Sequence, residues 1–256
     1  MAEVTPRFAG KVVLVTGAGG GLGRAFAQGF SKEGAQLILT DVDEQGLRQT
    51  AALLCKLGSA CWTYRVDLAV EKEILAFGAK VCEKHPRLDV LINNAGIAYG
   101  EVTQAFAELS QAKWLRYLAV NAVAPLILAQ AVRQPLGSAK GVVINQSSMA
   151  SYVPATAYGV TKATLNSMTY GMAQTFGSDG IRVNAIAPGL IETPASRNDL
   201  PAETYARVQA MQLLKAAGVT DDIVALGLFL ASDAARFITC EIISCDGGNR
   251  MKGWRG

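Results

Sequence analysis

The chain of 256 residues is poor in the groups that bind metals or staple a fold. It has one histidine, His85, and five cysteines, Cys55, Cys61, Cys82, Cys240 and Cys245, an odd number with no C-x-x-C pair. No zinc-ligand spacing results, so no metal is expected, and reduced, mostly buried thiols are expected in place of disulfides. Charge is also scarce. Only 18% of residues are charged, 24 basic against 21 acidic for a net +3, and the basic ones are dispersed along the chain. Neither a nucleic-acid footprint nor an anionic-membrane footprint is expected. No apolar run approaches the roughly 18 uncharged residues of a spanning helix. The opening MAEVTPRFAG lacks an apolar core with a cleavage pattern, which reads as a cytoplasmic chain. The 26 glycines and 8 prolines follow no Gly-X-Y period, which excludes collagen.

What the chain does have is apolar mass, 50% of its residues, at a length sufficient for one large α/β core. Short apolar runs alternate with helix-patterned stretches. KVVLVT, QLILTD, CWTYRVD, LDVLINNAG, GVVINQSS, IRVNAIAPG and a final run ending SCDGG are each separated by helical periodicity, including a long helix near 108–134. Continuous apolar strands joined by helices imply a parallel sheet covered on both faces. The expected fold is therefore a single α/β domain over 1–256, a doubly wound, Rossmann-type parallel sheet of about seven strands. A looser stretch at about 190–215, with Pro194 and Pro201, reads as a substrate lid.

The first apolar run enters Gly17-Ala18-Gly19-Gly20-Gly21-Leu22-Gly23 and then a helix. Glycines there let the backbone approach an anion at a helix N-terminus, and a diphosphate suits the place. Asp41 ends the second run, 20 residues after Gly21. A carboxylate at that point accepts hydrogen bonds from an adenosine ribose diol and repels a 2′-phosphate, which favours NAD over NADP. No basic residue stands beside Asp41 or between Gly17 and Gly21 to clamp such a phosphate.

Other clusters stand at later strand ends: Asn93-Asn94-Ala95-Gly96, Tyr158-Gly159-Val160-Thr161-Lys162, Pro188-Gly189 and Cys245-Asp246-Gly247-Gly248. With the TGxxxGxG of the glycine turn, the NNAG segment and the YxxxK pair, in this order, the chain resembles the short-chain dehydrogenase/reductase family over nearly its whole length. The resemblance implies a nicotinamide-dependent oxidoreductase acting on a small alcohol or ketone, and a homotetramer. It also implies roles for individual residues. Lys162 would hold the nicotinamide ribose, Asp67 and Leu68 the adenine, and Asn94, Ala95 and Gly96 the ribose-side floor. Pro188, Gly189, Ile191 and Thr193 would meet the carboxamide, and Gly17, Gly21, Leu22 and Gly23 the diphosphate.

Tyr158 and Lys162 lie four residues apart on one helix face, so the ammonium is expected to favour phenolate, lower the tyrosine from its ordinary value near ~10, and make it the acid/base. Ser148, after the fifth strand, would orient the reacting oxygen. Its interval to Tyr158 is ten residues, shorter than the family's usual spacing, so Ser147 and Ser151 stay open as alternatives. Asn121 resembles the family asparagine at a helix irregularity, and helix interiors disfavour asparagine. His85, before a proline, reads as structural.

The expected activity is hydride transfer between NAD(H) and a secondary alcohol or ketone. A carrier-linked 3-oxoacyl reductase and a non-catalytic NAD-binding scaffold are the rivals. The pocket segments Ile97–Tyr99 and Met149–Tyr152 carry no Lys or Arg, which favours a neutral, partly apolar substrate; Arg197 and Arg207 leave that open.

Overall fold

The computed structural model describes residues 6–104 and 109–249. Strand β1 (Val12–Thr16) runs through the glycine turn into α1 (Gly21–Lys32). It is followed by β2 (Gln36–Asp41), α2 (Glu44–Lys56), β3 (Cys61–Arg65), α3 (Glu71–Lys84) and β4 (Val90–Asn93). Helices α4 (Gln111–Leu118), α5 (Ala124–Ala131) and α6 (Arg133–Ala139) lead to β5 (Val142–Gln146), α7 (Ala157–Phe176) and β6 (Arg182–Pro188). The chain ends with β7 (Ile191–Glu192), α8 (Pro194–Asp199), α9 (Ala202–Ala210), β8 (Gly218–Val219), α10 (Thr220–Ala231) and β9 (Ile242–Cys245).

Seven strands make one parallel sheet in the order β3-β2-β1-β4-β5-β6-β9, while β7 and β8 pair separately. Successive strand residues face opposite ways, and both faces find apolar partners. Val13 and Val15 join Leu37, Leu39, Val90 and Ile92 under α1 and α10, whereas Leu14 joins Ile38, Leu91 and Val143 under α3, α5 and α7. The strand order reverses between β1 and β4, which opens a crevice at the carboxyl ends of the strands, where ligands bind in such sheets.

The helix expected over 108–134 is divided. Between α4 and α5 lies a π turn, Ala119–Val123, in which the Ala124 N–H reaches back five residues to Ala119 O. Gln111–Ala131 is long and apolar enough, by length and composition, to cross a membrane. Its buried residues Ala124, Leu128 and Ala129 belong to the core beneath the sheet, which accounts for that composition.

The thiols differ from expectation: none of the five is buried, and Cys55 and Cys240 are exposed. Cys240 precedes β9 with φ of +67°, so Cys240 and Cys245 do not share a strand. His85 is buried edge-on against Trp62, ring centroids 4.7 Å apart, and burial pushes its pKa below the ordinary value, in keeping with a structural side chain.

Candidate active site

The glycine turn is shaped by close backbone packing. A Cβ on Gly23 would stand 2.0 Å from Gly17 O, and one on Gly17 would stand 2.8 Å from Ala95 Cα. Gly21 has φ of +48°, and a Cβ on Gly20 or Gly21 would meet open space. Helix α1 has no side-chain cap and no acidic residue in its first turn, so its N-terminal N–H groups are available to an anion. Among the described residues no side chain competes for them.

Asn94 spends its side chain on the loop itself, its Nδ2 donating to Thr16 O at 2.9 Å and to Gly17 O at 3.3 Å. Thr16 Oγ1 accepts from the Asn94 and Ala95 N–H groups, both at 3.0 Å, which joins the end of β1 to the end of β4. Asp41 accepts from Gly19 N at 2.8 Å through one oxygen and from Asp43 N at 3.0 Å through the other. Each oxygen keeps a lone pair beyond these bonds.

Folding brings a cation to Gly19, whose N–H Asp41 already accepts. Arg24, one turn into α1, reaches back to Gly19 O and also donates to Thr50 Oγ1, Gly46 O and Gln49 Oε1. Its guanidinium is thus committed to holding α2 against the glycine turn. Asp67 Oδ1 accepts from Ala69 N at 2.9 Å in a strand-end turn, and Leu68 packs on the core.

Three serines follow β5, and the structure separates them. Ser147 Oγ donates to Asn166 Oδ1 at 2.6 Å. Ser151 Oγ donates to Ser148 O at 2.7 Å and accepts from Asn166 Nδ2 at 2.9 Å. Ser148 Oγ accepts from Ala150 N at 3.1 Å, lines the same cavity as Tyr158 and lowers the pKa of its phenol.

The short interval is closed by a 3₁₀ turn, Met149–Ser151, capped by Ser148, and by Thr156, whose Oγ1 accepts from Gly159 N at 3.0 Å as the N-cap of α7. The connection folds so closely on α7 that a Cβ on Gly159 would stand 2.8 Å from Ala150 O and 2.9 Å from Pro154 Cα.

Lys162 is buried, its Nζ donating to Gln146 O at 2.6 Å and lying 5.7 Å from the Tyr158 ring centroid. Burial lowers the lysine to about 8. Burial likewise pushes the Tyr158 phenol up to about 12, against a lowering by the Ser148 hydrogen bond and with a further rise from Tyr99. The expected depression of the phenol is therefore absent here. The ammonium is engaged by a carbonyl instead of the phenol oxygen, and loss of water outweighs its attraction.

Asn121, in the π turn, is fully used: its Nδ2 donates to Ile97 O and Thr161 Oγ1, both at 3.0 Å, and its Oδ1 accepts from Ile97 N at 2.7 Å. Thr161 in turn donates to Tyr158 O at 2.8 Å, so one network ties the segment after β4 to the helix that carries the tyrosine. Gly96 sits where a Cβ would stand 3.4 Å from Lys162 Nζ. Gln146 Oε1, at the end of β5, is buried without a partner among the described residues.

These groups open onto a cavity of about 450 Å³, lined on the sheet side by Gly21, Leu22, Asn94, Gly96, Ser148, Tyr158 and Lys162. Pro188, Gly189, Ile191, Thr193, Ser196, Leu200, Thr204, Arg207 and Val208 line it from the other side. Thr193 and Ser196 form a reciprocal capping box at the start of α8. Gly189 is pressed onto the Cys245-Asp246-Gly247-Gly248 turn, its N–H donating to Cys245 O at 2.9 Å and its Cβ position 2.6 Å from Asp246 Cα. The sequence assigns no role to Thr16, Arg24, Gln146 or Thr161, although Thr16, Gln146 and Thr161 lie within the runs and motifs quoted above.

A family model described as enoyl-(acyl carrier protein) reductase matches residues 17–250. Cis-4-hydroxycyclohexanecarboxylate dehydrogenase of Sinomonas cyclohexanicum is 33% identical over 245 residues, 94% of this chain and 97% of the relative. NAD-dependent glycerol dehydrogenase of Listeria innocua is 30% identical over 246 residues, 94% of each chain. The solved structure of 7α-hydroxysteroid dehydrogenase complexed with NADH and 7-oxo glycochenodeoxycholic acid superposes with a TM-score of 0.87 at 28% identity, covering 95% of this chain and 96% of that one. The chain belongs to the short-chain dehydrogenase/reductase family. Its members bind a nicotinamide cofactor, and the dehydrogenase relatives make this chain an oxidoreductase of the type that acts on alcohols.

Proposed function

We propose that the protein transfers hydride between NAD(H) and a secondary alcohol or its ketone, with Tyr158 as acid/base. The convergence of Ser148 and Tyr158 on one cavity wall, backed by buried Lys162, carries this reading. The nicotinamide ring, when bound, accepts the hydride in oxidation and gives it back in reduction. In oxidation Tyr158 takes the hydroxyl proton as the carbinol C–H bond breaks and the C=O bond forms; in reduction it returns the proton to the oxygen. Ser148 holds that oxygen, and Lys162 holds the ribose hydroxyls of the cofactor.

The uncapped N-terminus of α1, with Gly17, Gly21, Leu22 and Gly23, suits the diphosphate. Asp67 and Leu68 would flank the adenine, Asn94, Ala95 and Gly96 the ribose, and Pro188, Gly189, Ile191 and Thr193 the carboxamide. Asn121 acts as a positioning residue through Ile97 and Thr161. The segment 190–215 serves as the lid.

Asp41 favours NAD. Its free lone pairs suit a ribose diol, its charge opposes a 2′-phosphate, and Arg24 is already spent on four acceptors. Relatives named for NAD dependence and for an NADH complex support this choice. Reduction of a carrier-linked 3-oxoacyl chain is the second reading; the description of the family model shares with it only the carrier-linked acyl group, since it names an enoyl substrate. It predicts NADPH in place of NADH.

NADH production across a panel of secondary alcohols, with NADP run alongside, tests the proposal. Turnover with NAD that falls about 10³-fold or more in Tyr158→Phe, while NADH binding persists, is the expected result. NADP preference would overturn the Asp41 assignment, and NADH binding without any turnover would point to a scaffold. The pH profile gives a second check. A phenol raised to about 12 is protonated at neutral pH, ready as an acid, while oxidation draws on the small phenolate fraction. Initial rates of alcohol oxidation should therefore climb between about pH 7 and 10, and ketone reduction should not. A flat oxidation profile would remove Tyr158 as the base.

A further inference from the structure

The cavity is electrostatically one-sided. Among the described residues that line it there are two cations, Lys162 and Arg207, and no Asp or Glu. Lys162 is engaged by Gln146 O. Arg207 has no hydrogen bond or ion pair to a described residue, even though Glu203 lies one turn before it on α9. Arg197 on neighbouring α8 behaves differently: it pairs with Glu192 at 2.7 Å, and Tyr205 donates to the other oxygen of the same carboxylate at 3.1 Å. Of the lid acids, Glu192 is thereby taken, and Glu203 makes no ion pair with Arg207.

Thr204, Arg207 and Val208 stand three and four residues apart, so they share one helix face, and all three line the cavity. The rest of that wall is largely apolar, with Leu190, Ile191, Leu200 and Val208. An unpaired planar fork beside an apolar wall, with no acid among the described residues that line the cavity, is the arrangement that takes a carboxylate through two parallel hydrogen bonds. With no acid among the described lining residues, the two cations focus the field on an incoming anion.

We propose that Arg207 is a specificity residue: it binds a carboxylate carried by the substrate, so the preferred substrates are hydroxy acids or keto acids, not neutral alcohols. This rests on the hydride-transfer reading above, and it replaces the neutral substrate that the sequence segments alone favoured. The hydrocarbon part of such a molecule would lie along the apolar wall, its carbinol carbon beside Ser148 and Tyr158.

The test uses the NADH-loaded enzyme and a matched pair of probes, benzoate and benzamide, with binding followed by calorimetry in the wild type, Arg207→Met and Arg207→Lys. The wild type should bind benzoate roughly tenfold or more tighter than benzamide. Arg207→Met should erase the difference, Arg207→Lys should restore part of it, and NADH affinity should be the same in all three. Added salt should shrink the benzoate advantage, because the guanidinium is reached from solvent.

In turnover of a hydroxy acid and its methyl ester, Arg207→Met should raise KM for the acid roughly tenfold, leave kcat within about twofold, and spare the ester. No benzoate preference in the wild type, or one that survives Arg207→Met, overturns the assignment. A parallel loss of NADH affinity in Arg207→Met also overturns it and assigns the guanidinium to the cofactor diphosphate. Failure of this proposal differs from failure of the proposed function: turnover of neutral alcohols without carboxylate preference sinks only the former. Carboxylate preference in binding with no turnover of any alcohol sinks only the latter.

Discussion

The two sides of the cleft use their polar side chains in opposite ways. On the dinucleotide side, Thr16, Arg24, Asn94, Asn121 and Asp41 are bonded to backbone groups of neighbouring loops, and their reach into the crevice is short. On the substrate side, α9 presents Arg207 without a partner among the described residues; the Thr193–Ser196 box and the Glu192–Arg197 pair are local, and the lid is tied to the turn after β9 by Asn249 Nδ2 donating to Val208 O and by Leu213 and Leu214 N–H donating to Gly247 O. One wall is held in shape by its own hydrogen bonds; the other keeps donors in reserve. A shared cofactor needs one fixed surface, while a substrate needs a surface that can differ from protein to protein.

The sharpest way to break that contrast is at Gly23. A Cβ there meets Gly17 O and Asn94 Nδ2, so Gly23→Ala should destabilise the fold by about 2 kcal/mol or more and depress NADH affinity strongly. Gly20→Ala, whose Cβ enters open space, should leave the melting temperature nearly unchanged. Thermal melting with NADH titration compares the two, and equal destabilisation would deny that the turn is shaped by packing.

Next in size is the serine pair. Ser148→Ala should lower kcat by about 10²-fold with little change in melting. Ser147→Ala, which strands Asn166 Oδ1, should cost about 1 kcal/mol of stability and leave kcat nearly intact. The reverse pattern would move the catalytic assignment to Ser147. The smallest effect is expected at Arg197→Ala. That pair with Glu192 is solvent-facing, with 64% of the arginine side chain exposed, so kcat/KM and melting should both stay within error of the wild type.

Much of this architecture was legible because each central strand is apolar on both faces, which leaves a run such as VVLVT little alternative to a covered parallel sheet. The two-residue β7–β8 ladder and the π turn were not legible as elements, being too short to impose a period, although Asn121 in a helix interior marked the irregularity. The choice among three serines could not be made from spacing. It depends on Asn166, eighteen residues beyond Ser148 in sequence, which engages the other two.

The position of Arg24 follows from one turn of α1 folding back over Gly19, a contact that no local pattern encodes. The pKa of Tyr158 was misjudged for a related reason. The i, i+4 spacing shows that Lys162 is near, but only the packed structure shows how much water both groups lose and where the ammonium points.

The connection from Ser148 to Tyr158 works as a ruler cut to length. It is anchored by a serine cap at one end and a threonine cap at the other, and it rests on Gly159, which tolerates no side chain beneath Ala150 and Pro154. Its interval of ten positions therefore behaves as a single heritable unit. An insertion or deletion anywhere between the caps would shift the serine relative to the tyrosine, so natural variation here is expected to swap whole loops instead of adding residues one at a time.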